Sequence, residues 1–181
     1  MRIQIEAETD ETAKAQLEGE RELHHAKAEW AYQQLKEDTA LAKSDPTIMV
    51  ISFDLQQTLP TPPTSTNVVF YKRQLWTYNL GVHNGGTGQA CMHMWHEAVA
   101  NRGSDEVGSC ILKHLQEINI QPTTTHLITF SDSCGGQNRN IYLVCLWLHI
   151  VACSYLLIIT VDQKFMLPGH LYLPNDRDFG K

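Results

Sequence analysis

The chain has 181 residues, 43% of them hydrophobic and 19% charged, and a formal net charge of −6. Those values exclude wholesale disorder and suit one domain with an appendage. Residues 1–46 hold 6 Lys/Arg against 11 Asp/Glu and residues 47–181 hold 8 against 9, so the acidity sits in the appendage and excludes no phosphate-bearing substrate.

Residues 11–43 are rich in Ala, Glu, Lys and Gln and lack proline, which predicts a helix with a weak apolar stripe of Leu23, Ala26 and Trp30. Asp45-Pro46 ends it, because proline disfavours helix at the residue before it. Residues 1–46 thus form a helical N-terminal arm, and 47–181 the main domain. That domain opens with a strand over 47–54, followed by a proline-rich connection from Leu59 to Pro63. NVVFYKRQLWTYNLGVHN carries a second strand, the Gly/Asn cluster His83–Gly88 a hairpin turn, and QACMHMWHEAVA a third strand. Ser104 is the expected cap of a helix with Asp105 and Glu106 in its first turn and a buried face of Val107, Ile111, Leu115 and Ile118. A fourth strand covers about His126 to Ser131, a helix runs from Gln137 to about Ala152, and a last strand covers 155–161.

Asn140 to Val161 has no charged residue and is long enough to span a bilayer. Its texture changes midway, however, so a buried helix followed by a buried strand is the expectation, with no membrane partner. The order βββαβαβ implies an α/β protein, a mixed sheet with helices packed on it. The five cysteines form no CxxC pair and read as free intracellular thiols, mostly buried. MRIQIEAETDE lacks a basic region followed by an apolar one, and so carries no secretory signal.

Three strings carry chemistry. IMVISFD and HLITFSD each end an apolar run on an acid, Asp54 and Asp132, and a carboxylate leaving a core is costly unless solvated, paired or bound to metal. On neighbouring parallel strands both would emerge at the C-terminal ends, where open α/β sheets place ligands. Two such carboxylates raise each other's pKa unless a cation neutralises them, and Mg²⁺ or Mn²⁺ suits an all-oxygen site. In SDSCGGQNRN, Gly135 and Gly136 let backbone approach a phosphate, and Gln137, Asn138 and Arg139 open a helix whose N-terminus attracts anions. It is not a Walker loop, because no Lys-Ser/Thr follows the glycines. In PGHLYLPNDRDFGK, Gly169 and Pro174 argue for irregular backbone, and His170, Asp176 and Asp178 are candidate ligands or bases. Residue chemistry alone does not separate Asp176 from Asp178. His93 and His96 would face opposite sides of a strand. Cys91 and His93 share a face without further partners, so packing is expected there rather than zinc. Ser131, Ser133 and Cys134 have no His/Asp arrangement that would make a triad.

This order of elements, with acids ending the first and fourth strands, resembles the ribonuclease H-like fold of ribonuclease H, retroviral-type integrases and DDE/DDD transposases. More closely, FDLQQTLPTPPTSTNVVFYKRQLWTYNLGVHNGGTG, NRGSDEVGS, SDSCGGQNRN and PGHLYLPNDRDFG resemble a family of unknown function abundant in arthropod genomes, with members in transposon-derived genes. The similarity runs from about Leu35 to Gly180. It implies Asp54, Asp132 and Asp176 as catalytic, metal-holding acids for phosphodiester cleavage or strand transfer, active or formerly active. It further implies a nucleic-acid partner, DNA ahead of RNA, and the nucleus ahead of the cytoplasm. Family members continue further and carry a Cys/His-rich region upstream, and His96 stands where an acid is common. With the chain stopping at Lys181, the fold's last helix is expected to be truncated. The alternative is a non-enzymatic interaction module that keeps the fold.

Overall fold

The computed structural model describes residues 10–61, 74–152, 156–167 and 173–180. Helix α1, Glu11–Ser44, starts where the Asp10 side chain accepts the Thr12 amide at 2.8 Å, and ends at Asp45. The Asp45 carboxylate then accepts both the Thr47 amide (2.8 Å) and the Thr47 hydroxyl (2.6 Å), turning the chain into β1, Ile48–Leu55. Leu23 and Trp30 are exposed, and the face of α1 that packs is Ala28, Ala31 and Leu35. The expected stripe therefore points outward. Small alanines win the inner face because they let the helix lie close on the sheet.

Leu59–Thr61, expected as connection, forms a short strand β2. It is followed by β3, Leu75–Asn84, and β4, Ala90–His96. Thr77 pairs with Leu59 and also with His96, so β2 and β4 occupy opposite edges of β3 and β2 prolongs β1 along its edge. Pro60 is tolerated because β2 pairs on one side only. The β3–β4 turn is tied by Asn84, which takes the Thr87 amide on its side chain and the Gly88 amide on its carbonyl. Gly88 has φ +73°, a conformation that suits glycine there.

Helix α2, Ser104–Glu117, is capped at Gly103 and not at Ser104. Glu106 substitutes for a capping side chain, its two carboxylate oxygens accepting the amides of Gly103 (3.0 Å) and Asn101 (2.9 Å). Val107, Ile111 and Leu115 are buried as expected. Next come β5, His126–Ser131, helix α3, Ile141–Ala152, strand β6, Thr160–Phe165, and a short helix α4, Pro174–Asp178, in the segment expected to be irregular.

Two boundaries differ from expectation. Gln137–Arg139 form a turn, all three amides bonding to the Cys134 carbonyl, and α3 begins only after Asn140, whose side chain accepts the Tyr142 and Leu143 amides. Strand β6 lies later than 155–161 and includes Asp162, Gln163 and Lys164. As an outer strand it pairs only with β5 and accommodates polar residues, while Leu156 and Ile158 enter the core ahead of it. Helix α3 is buried only along Leu143, Trp147 and Ile150, leaving Ile141, Tyr142 and Leu148 exposed. It is thus half-covered and not buried all round.

The sheet is mixed and open. β1 lies at its centre, antiparallel to β3 and parallel to β5, with β6 parallel beyond β5. Alternation along the strands divides the core in two. Ile51, Phe53, Leu80, Val82 and Leu127 pack with α2 and α3. Val50, Ile128 and Phe130 pack with Ala31 and Leu35 of α1 and with Leu173 before α4. The architecture is therefore α/β with helices on both faces. Among the described residues, no helix is long and apolar enough to cross a membrane.

Candidate functional site

β1 and β5 run parallel in a register that pairs Ser52 with Phe130. Both strands therefore end at the same edge of the sheet, β1 just past Asp54 and β5 at Ser131, one residue before Asp132. Both acids share the parity of Val50, Ser52, Ile128 and Phe130, and so lie toward the α1 and α4 face of the sheet. Each carboxylate is steadied by its own backbone. Asp54 Oδ1 accepts the Leu55 amide at 2.8 Å, and Asp132 Oδ1 accepts the Cys134 amide at 3.2 Å. Asp132 Oδ1 also takes a short hydrogen bond from Asn138 Nδ2.

Helix α4 is anchored at the same corner. Asn175 is fully buried; its Nδ2 donates to the carbonyls of Ser52 (3.2 Å) and Gly81 (2.8 Å), and its Oδ1 accepts the Ser52 hydroxyl (2.8 Å). Gly81 pairs with Asp54 across β1 and β3. A Cβ on Gly81 would stand 2.7 Å from the ring of Phe179, so glycine is required there by the close approach of the segment after α4. Asp176 is half-buried in the residue next to this clamp. Asp178 is committed elsewhere, its Oδ2 lying 2.7 Å from His83 Nδ1, a pair with side chains 13% and 6% exposed.

The SDSCGGQNRN turn bonds extensively within itself, although Asn138 Oδ1 is buried without a partner among the described residues. Asn138 is buried, and its carbonyl accepts Gln163 Nε2 at 3.0 Å while Gln163 Oε1 accepts Trp147 Nε1 at 2.8 Å. Asn138 therefore orients Asp132 from behind. Gly135, Gly136 and Arg139 are exposed; Gly136 has open space where a Cβ would be, and the Arg139 guanidinium lies over the Phe165 ring. His170 lies outside the described residues, as does Cys153.

The expectation for β4 changes in one respect. Cys91 and His93 do share a face, opposite to His96, but they have a third companion, His114 of α2. One ligand atom from each of these three lies within 4.8 Å of the others. The sequence signal was a histidine set on the buried Val107–Ile111–Leu115 face of a helix; which strand it would meet was not readable from spacing.

Comparison with models of known families, with curated proteins and with solved structures gives no match.

Proposed function

We propose that this chain is a ribonuclease H-like domain, of the transposon-derived family it resembles, that cleaves or transfers phosphodiester strands with Mg²⁺ or Mn²⁺. The observation that carries the reading is the parallel pairing of β1 with β5, which turns the strand ends bearing Asp54 and Asp132 toward the same edge of the sheet. Counting β2 as the prolongation of β1, the element order βββαβαβ supports the fold assignment. Asp176 supplies the third carboxylate, the position that the family resemblance implies.

The donor set fits a hard divalent cation, being all carboxylate oxygen on one sheet face. Asp54, Asp132 and Asp176 would hold it. Bound there, such ions activate water or a 3′-hydroxyl and stabilise the leaving oxygen. Asn138 and the Cys134 amide fix Asp132 through Oδ1, keeping Oδ2 for the ligand. The Asn175 clamp sets the position of Asp176 relative to β1. Gly135, Gly136, Gln137 and Arg139 follow Asp132 in the turn and would offer backbone and one cation to a phosphate. DNA is the preferred substrate over RNA in this reading.

The test is cleavage of labelled DNA and RNA with Mg²⁺ or Mn²⁺, with Asp54→Asn and Asp132→Asn as controls. Metal-dependent cleavage lost in both variants supports the assignment. Cleavage that survives both substitutions sinks it, and binding without cleavage marks a non-enzymatic module instead.

A further inference from the structure

On the opposite face of the sheet from the strand-end acids, Cys91 and His93 project from β4 beside Val82 and Leu80 of β3, whose side chains are core. Helix α2 crosses there and brings in His114, which is only 5% exposed. The His93 and His114 rings meet edge to face, with centroids 5.5 Å apart. Nε2 of each is buried without a hydrogen-bond partner. A neutral imidazole has one donor and one acceptor nitrogen, and leaving either unmet in a dry site is unfavourable. Here two such nitrogens stand beside a thiol. A core histidine that merely packs commonly carries its polar atoms to a protein partner, and among the described residues neither Nε2 meets one.

We infer that Cys91, His93 and His114 form a Zn²⁺ site, with Cys91 Sγ and two imidazole nitrogens as protein ligands and the fourth position facing solvent. Thiolate and imidazole donors select zinc over magnesium or calcium. Tetrahedral zinc with such ligands needs donor atoms about 3.4–3.6 Å apart, given bond lengths of about 2.0–2.3 Å. The present separations are within 4.8 Å, so the three side chains need to close by about 1 Å to take up zinc. A cleft of about 550 Å³ lined by Cys91, His93, Cys110 and Glu117 opens onto the site and leaves room for a water or an added ligand. The metal would pin β4, a strand paired only with β3, to α2.

Full-length protein, stripped with chelator, is titrated with Zn²⁺ under excess Mg²⁺, and separately with Co²⁺ as a spectroscopic probe. The result expected is one equivalent bound, with thiolate-to-cobalt charge-transfer absorption and visible bands of tetrahedral intensity. Cys91→Ser removes the charge-transfer absorption. His114→Gln weakens Zn²⁺ binding by about 100-fold or more, since even outer-sphere losses cost about 10–100-fold. Because His114 is buried, His93→Gln at the half-exposed edge serves as the second variant, with circular dichroism as the folding control. A Cys134→Ser/Cys145→Ser background removes the two thiols that are exposed among the described residues and should leave binding intact. A cobalt spectrum without thiolate bands, or Zn²⁺ affinity unmoved by both Cys91→Ser and His93→Gln, overturns the site. These readouts do not involve nucleic acid, so the inference stands or falls apart from the proposed activity.

Discussion

Asn175 is the most testable single residue in the fold, because it is fully buried and bonds to two strands at once. Asn175→Ala removes three hydrogen bonds and leaves the Ser52 hydroxyl without its acceptor. At about 1 kcal/mol net for each bond, plus a small cavity, the expected loss is about 3 kcal/mol, independent of pH. Asn175→Asp keeps the shape but sets a carboxylate oxygen where an amide had donated to the Ser52 and Gly81 carbonyls. The new carboxylate must then take up a proton to fold, so its folded pKa lies above its unfolded value of about 3.9. The folded state binds more protons than the unfolded one between those two values, and stability falls as pH rises through that window by about 1.4 kcal/mol per unit. With the folded pKa at or above 7, the linked penalty at pH 7 approaches about 4 kcal/mol and vanishes below about pH 4. Urea unfolding from pH 4 to 7, with the wild-type curve subtracted, measures both variants. Parallel wild-type and Asn175→Asp curves across that range, or an Asn175→Ala loss under about 0.5 kcal/mol, would refute the role of this side chain as the clamp between α4 and the sheet.

Gly81→Ala forces a Cβ to within 2.8 Å of two Phe179 ring carbons and should cost about 1–3 kcal/mol in urea unfolding, part of it recovered by adding Phe179→Leu; no loss at all would mean the ring moves freely. The hydroxyl and then the amide of Thr47 hold the Asp45 carboxyl below its ordinary 3.8. Its stabilising contribution is therefore complete above the ordinary carboxylate range and lost as pH falls through the lowered folded value, so the wild-type advantage over Asp45→Asn should shrink on acidification, as followed by thermal unfolding from pH 6 to 2.5. Burial pushes the Cys110 thiol up, with Lys113 opposing and Glu106 adding to the shift. Alkylation at pH 8 read by peptide mass mapping should modify the exposed Cys134 and Cys145 well before Cys110. Equal rates would contradict the burial of Cys110.

The starts of β1 and β5 were legible because each is a short apolar run ending at an acid, a pattern with few physical explanations. The α2 face was legible for a similar reason, its apolar residues recurring at helical spacing. The last strand was not, since YLLIITV is hydrophobic enough for a strand while the residues that pair with β5 are TVDQKF. What decides between them is register against β5 and the Lys164–Asp38 ion pair (2.6 Å) to α1, both long-range. Likewise, Asn140 reads as one polar residue among several in SDSCGGQNRN, and only the hydrogen bonds reveal it as the helix cap. Asp54 and Asp132 could be named from local sequence, whereas the parallel pairing of the strands that carry and precede them could not. Cys91 and His93 could be grouped by alternation, but His114 joins them only through the crossing of α2 over β3 and β4.

The contact between Gly81 and Phe179 has a directional consequence. A ring seated on the residue that pairs with Asp54 walls off the β3 side of that carboxylate. The turn that follows Asp132 contrasts with this: Gly135 and Gly136 carry no side chain, and at Gly136 no atom lies within 4 Å of the Cβ position. On the β3 side, therefore, a side chain closes over the strand, whereas the turn after Asp132 presents bare backbone at two successive residues.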